Sequence, residues 1–143
     1  MYQSADTCIQ NFKQIQNKVL QTTGIKSNII RFPGGSSNTI SRKYCKGVMT
    51  ELSTRVLDEG FKYFDWNVDS EDAGSAKSSE DVYNNVTSGV KENRNNVVLM
   101  HDFGGNEKTI NALEGIIDYG LENGYVFRKI TDDVPMCKHS VNN

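Results

Sequence analysis

Four side chains of this sequence are of the kinds that transfer protons or hold carboxylates, and each follows or sits within an apolar run. Arg31 closes Ile29-Ile30-Arg31 ahead of Pro33-Gly34-Gly35, Asp65 and Asp69 lie in the stretch "FDWNVDSED", and His101 follows Val97–Met100 in "VVLMHD". A guanidinium forks onto a carboxylate through parallel N–H donors and keeps it ionised. A carboxylate beside an imidazole favours the charged ring and fixes its tautomer. An arginine, an aspartate and a histidine converging on one mouth are the equipment of a general acid or base oriented by charged neighbours.

Each residue also has a plainer reading. Arg31 could pair with a surface carboxylate at a strand end, Trp66 could fill the core, and His101 could be a hydrogen-bonded interior histidine. Asp72 and Asp102 read as cap or turn residues rather than catalytic ones. "DFGGN" at Asp102–Asn106 resembles a kinase tripeptide, but no Gly-rich loop or "HRD" segment accompanies it.

The elements that must position these residues follow from periodicity. From Ser4 to Thr23, Cys8, Ile9, Phe12, Ile15, Val19 and Leu20 recur at steps of a helical stripe, with Gly24 at the expected C-terminal cap. Asn28–Arg31 reads as a short strand. Ser41–Glu59 reads as a second helix, with Tyr44, Cys45, Val48, Leu52, Val56 and Leu57 inward. Phe61–Val68 is the next expected strand, and the polar run after it is irregular. Ser79 is a plausible N-cap for a helix reaching about Glu92. Val97–Met100 has the composition of a strand buried on both faces. Glu107–Glu122 is expected to turn Ile110, Leu113, Ile116, Ile117 and Leu121 inward, and Tyr125–Ile130 to close the series as a strand.

Helices alternating with strands predict an α/β fold with parallel strands and right-handed crossovers. Chemistry in such folds collects in the loops at the carboxyl ends of strands, where Arg31, Asp65, Asp69 and His101 stand, followed at the last strand by Arg128 and Lys129.

The composition bounds the rest. At 143 residues, 36% hydrophobic and 24% charged, the chain fits one globular domain. A formal net charge of -2 gives no electrostatic draw to nucleic acid or anionic lipid. No window approaches the roughly 18 apolar residues of a membrane span. The opening "MYQSADTCIQ" lacks the basic-then-apolar order of a signal peptide. Cys8, Cys45 and Cys137 lack zinc-finger spacing and make a disulfide framework unexpected, leaving one bridge plus a free thiol open.

"RFPGGSSN", "FDWNVDSED" and "VVLMHD", in that order and about thirty residues apart, resemble the third, fourth and fifth sequence blocks of the polysaccharide deacetylases, carbohydrate esterase family 4 with its NodB-homology domain. The resemblance implies that residues 1–133 are the C-terminal part of such a domain, followed by a polar tail over 134–143. It implies a partial, distorted β/α barrel and hydrolysis of N- or O-acetyl groups on an acetylated glycan. Carried over by motif, Arg31 would orient a basic aspartate, with Pro33 and Gly34 stiffening its loop. Asp69, or alternatively Asp65, would tune His101, which would protonate the departing amine. Leu99 and Trp66 would wall the pocket for the acetyl methyl, and the insert from Ser70 to Ser79 would select the glycan.

The family's divalent metal, zinc or similar, is expected in the complete domain, but its ligands are not in this chain. His101 and His139 stand 38 positions apart, so no His-x-x-x-His is available. The resemblance therefore implies a chain inactive alone, with an open sheet edge that favours self-association or pairing with a missing N-terminal half. It also implies an extracellular or cell-surface setting. A different class of function would be a non-catalytic carbohydrate-binding or regulatory remnant that holds a glycan with Trp66 and the Arg31 cleft. The plainest reading is a structural α/β domain with coincidental loops.

Overall fold

The computed structural model describes residues 2–142. It is an α/β fold of four helices and short parallel strands: α1 (Ala5–Thr23), β1 (Ile29–Ile30), α2 (Val48–Asp58), β2 (Lys62–Tyr63), β3 (Val68–Asp69), α3 (Ser79–Gly89), β4 (Val98–Leu99) and α4 (Glu107–Glu122). Among the described residues, β1 pairs only with β2 and β3 only with β4, both in parallel, and no ring of strands closes. The chain divides into two compact units. The first runs to Asp65 and resumes at Thr131, and the second is Trp66–Ile130.

In the first unit, the Ser4 side chain accepts the Thr7 N–H at the start of α1, and Gly24 ends the helix at φ 73°, a left-handed conformation that glycine adopts without a Cβ penalty. Ala5, Cys8, Ile9 and Phe12 of α1 meet Val48, Met49, Leu52 and Val56 of α2, and Phe32, Phe61 and Tyr63 complete the core. The aromatic rings meet edge-on or tilted, Phe12 with Phe32 at 5.8 Å and Phe32 with Tyr63 at 4.9 Å between centroids. The expected single helix over 41–59 is interrupted. One 3₁₀ turn, Ser41–Lys43, precedes α2, and Gly47 at φ 81° breaks the path between them, which leaves Tyr44 69% exposed instead of inward. The distal half of α1 also lacks cover, with Ile15 56% exposed. Together with Phe12, Val19, Ile29, Ile30 and Phe61 it lines an apolar groove of about 180 Å³.

The polar C-terminal segment is tied into this unit. Asp65 donates its backbone N–H to the Cys137 carbonyl at 2.7 Å, Lys138 sits 4.9 Å from the centre of the Tyr63 ring, and Val141 packs against the core.

In the second unit, α3 begins with a capping box. Ser78, one residue before the expected cap, accepts from the Asp81 N–H while the Asp81 side chain returns to the Ser78 N–H. Val68, Val82, Val86, Ala112 and Ile116 form the small core. The expected strand over 61–68 splits into β2 and β3 because its backbone changes partners. Tyr63 still pairs with β1, Asp65 turns to Cys137, and Asn67 and Val68 donate to the Val97 carbonyl. Val97–Met100 is half-buried, not covered on both faces.

Of the five α4 residues expected inward, only Ile116 is buried. Thr109, Ala112, Ile116 and Gly120 are inward, while Ile110, Leu113, Ile117 and Leu121 are exposed. Small residues permit close approach: a Cβ at Gly120 would lie 2.6 Å from the Phe127 ring, and one at Gly115 would lie 3.5 Å from Tyr83. The expected strand Tyr125–Ile130 does not form among the described residues. Tyr125 N–H instead caps α4 at the Gly120 carbonyl, and Val126 and Phe127 are exposed without a strand neighbour to pair with.

Candidate functional site

The second unit carries an imidazole–carboxylate pair. β3 delivers the chain to Asp69, whose Oδ1 accepts the Glu71 N–H at 2.9 Å and closes a tight turn. Glu71 takes φ 56° there, an uncommon conformation for a residue with a side chain, and the turn brings Asp72 inward. β4 delivers His101. The His101 Nδ1 lies 2.7 Å from Asp72 Oδ1, and the His101 backbone N–H donates to Asp72 Oδ2, also at 2.7 Å.

Asp72 is 1% exposed, while the His101 side chain is 39% exposed. Burial pushes the Asp72 carboxyl up. The hydrogen bonds from the His101 ring and N–H, Thr109 and Asn106 outweigh it and hold the group well below the usual carboxylate range. An ionised carboxylate only accepts, so His101 Nδ1 is the donor and Nε2 is left as the position that can exchange a proton with a bound molecule.

Asp69 is therefore not the partner of this imidazole. Its Oδ2 accepts the Trp66 indole N–H at 3.0 Å while its Oδ1 holds the turn. Asp65, the other residue expected to tune His101, has both oxygens occupied in the first unit: Oδ1 accepts the Ser36 N–H at 2.8 Å, and Oδ2 accepts the Ser36 hydroxyl at 2.5 Å and the His139 N–H at 2.8 Å. Asp72 was legible in sequence only as a turn residue. Its signal is its place three positions after Asp69, on the far side of a turn that reverses its direction.

The remaining predicted residues divide between the units. Leu99 pairs with Asp69 across β3 and β4, and Trp66 is half-buried beside them in the second unit. Arg31, Pro33 and Gly34 belong to the first. Arg31 Nε donates to the Phe64 carbonyl at 2.9 Å, and Nη2 approaches the Asp65 carbonyl at 3.4 Å, so the guanidinium is anchored on backbone oxygens. The Pro33 carbonyl accepts from Tyr2 Oη at 2.8 Å and Asn38 Nδ2 at 3.0 Å. Burial pushes the Tyr2 hydroxyl up to about 12, which keeps it a donor. Gly34 stands at φ 77°, where a Cβ would lie 2.9 Å from the Asn38 amide, so the stiff loop is built on glycine.

The donor set does not fit a metal. Among the described residues no three His, Cys, Asp or Glu side chains gather as ligands. His101 Nδ1 is engaged by Asp72, and His139 Nδ1 lies 3.0 Å from the Ser37 hydroxyl. No described helix is long and apolar enough to cross a membrane.

No family model matches the chain. The crystal structure of the catalytic domain of peptidoglycan N-acetylglucosamine deacetylase from Eubacterium rectale ATCC 33656 is similar at a TM-score of 0.89 and 44% identity, over 100% of this chain and 66% of that one. A polysaccharide deacetylase-type protein of Bacillus subtilis (strain 168), YheN, is 30% identical over 138 residues, which are 92% of this chain and 44% of that protein. Peptidoglycan-N-acetylglucosamine deacetylase of Bacillus cereus is 27% identical over 83% of this chain and 41% of its own length. The chain thus spans less than half the length of the curated relatives it matches. The relatives and the structural neighbour it resembles are polysaccharide deacetylases, and the chain matches them over part of their length.

Proposed function

We propose that the chain is part of a deacetylase that removes N- or O-acetyl groups from an acetylated glycan, with His101 as the proton donor to the departing amine or hydroxyl. The observation that carries this reading is the half-exposed imidazole bonded through Nδ1 to a buried, ionised Asp72, within a chain 44% identical to a deacetylase catalytic domain. Proton donation from such a group contributes typically about 10²–10⁴-fold to rate. Asp72 replaces Asp69 in the role of holding the ring.

Arg31 serves to orient a carboxylate base, and Pro33 and Gly34 keep its loop rigid. Leu99 and Trp66 form the walls of the acetyl pocket. Among the described residues no group of side chains gathers as ligands for a divalent metal such as zinc. We therefore expect no turnover by the chain alone. The groove beside β1 and the exposed apolar face of α4 support self-association or pairing with a complementary segment. The wall polymer in the names of two relatives supports an extracellular or cell-surface setting.

The test is acetate release from an N-acetylglucosamine oligomer with added zinc or cobalt, by the chain and by a chimera in which it replaces the matching region of the E. rectale domain. The expected result is no release by the chain and release by the chimera. Sustained release by the chain overturns its inactivity. A folded chimera that binds the oligomer and releases nothing favours the glycan-binding alternative.

A further inference from the structure

We propose that Asn106 and Thr109, at the entry to α4, are positioning residues that lock the Asp72 carboxylate so that a single oxygen faces the His101 ring; the assignment rests on His101 as the proton donor. Asn106 is 3% exposed and Thr109 is 7% exposed. The Asn106 amide nitrogen donates to Asp72 Oδ2 at 3.0 Å and to the His101 carbonyl at 2.9 Å, so one group holds both members of the pair. Thr109 Oγ1 donates to the same carboxylate oxygen at 2.8 Å.

With the His101 N–H, Oδ2 receives three donors, and Oδ1 is left to the imidazole. The carboxylate cannot rotate about its Cβ–Cγ bond to exchange its oxygens without breaking all three. Rotation is the motion that would free the ring to turn over or change tautomer. Two of the three locks come from the first residues of α4 and its cap, so this helix end sets the direction in which the imidazole points.

The Asn106 side chain is not explained by its own comfort. Its Oδ1 is buried without a hydrogen-bond partner among the described residues, an arrangement that opposes folding. An amide whose acceptor is stranded while both amide contacts go to the His101–Asp72 pair is accounted for by those contacts. Thr109 fits the same reading, because its hydroxyl is spent on the carboxylate and not on a helix carbonyl.

The experiment is ¹⁵N–¹H NMR of the His101 side chain in the full chain, at a pH where the ring is neutral, for the wild type, Asn106→Leu, Thr109→Val and Thr109→Ser. The wild type is expected to show one tautomer, with the proton on Nδ1 and exchanging slowly. Asn106→Leu and Thr109→Val should show a mixture of tautomers and exchange about tenfold faster, the scale of one lost hydrogen bond. Thr109→Ser, which restores the hydroxyl, should return the wild-type signature. Should Asn106→Leu fail to fold, the Thr109 pair decides. A wild-type signature in folded Thr109→Val, or an altered one that Thr109→Ser does not restore, overturns the proposal. The signal is read without turnover, so an inactive chain leaves the inference standing, and an undisturbed ring sinks it even if the chain proves to be a deacetylase.

Discussion

Two carboxylates are buried almost completely, Asp65 in the first unit at 0% exposure and Asp72 in the second at 1%, and they serve opposite ends. Among the described residues, Asp65 accepts from a backbone N–H, a hydroxyl and a second N–H, and it joins the loop at Ser36 to the C-terminal segment at His139. None of those donors changes protonation near neutral pH. Asp72 accepts from an imidazole whose ring reaches solvent. Burial of a carboxylate is therefore no mark of chemistry by itself. What distinguishes the two is whether one of the donors can titrate and reach a ligand.

This contrast can be broken at either end. The largest effect should follow Asp65→Ala, which strands the buried N–H and hydroxyl of Ser36 and the half-buried N–H of His139. Urea unfolding should show a loss of about 3 kcal/mol or more. A loss below about 1 kcal/mol would mean that the clamp between loop and tail is not what holds them.

Asp72→Asn should cost less, about 1–3 kcal/mol, because shape is kept and some donors find the amide oxygen. Its penalty should depend on pH with a defined sign. The folded Asp72 carboxyl titrates below its unfolded value of 3.8, so the ionised group stabilises the fold fully above 3.8, and that contribution is lost as pH falls toward the folded value. The gap between wild type and Asp72→Asn in urea unfolding should therefore begin to narrow only below 3.8. It should narrow below it by up to about 1.4 kcal/mol per pH unit. A gap that widens below 3.8 would contradict the assignment of an ionised Asp72.

The smallest effect on stability should come from the outer face of α4. Leu113→Gln should change stability by under about 0.5 kcal/mol, since Leu113 is 43% exposed. It should reduce self-association measured by light scattering. A core-sized loss would restore the inward stripe expected from the sequence.

Much of the fold was legible because local signals agreed with tertiary ones. Ser4 and Gly24 bound α1 where side-chain capping and glycine conformation predict, and the Leu52 and Val56 face of α2 is buried as its spacing implies. The face of α4 was misread because the helix carries two stripes. Bulk favours Ile110, Leu113, Ile117 and Leu121, but packing on α3 selects Ala112, and the Phe127 ring leaves no room for a side chain at Gly120. Strand length was overread at 61–68 and 125–130 because apolar, β-rich residues encode extended backbone and not a partner for it. At the site, His101 was singled out from residue type and its place after a strand, and its ring is bonded to a buried carboxylate. Asp72 was passed over because the reversal at Glu71, which decides which aspartate reaches the ring, depends on a positive φ that no residue type there demands.

The central claim is that His101 supplies a proton to a leaving group that needs one. The most direct measurement compares His101→Ala with wild type in the chimeric domain on two substrates, an N-acetylglucosamine oligomer and an activated aryl acetate whose leaving group departs without protonation. Acetate release from the oligomer should fall by about 10²-fold or more, while release from the aryl ester stays within a few-fold of wild type. Equal losses on both substrates, or none on the oligomer, would contradict the account.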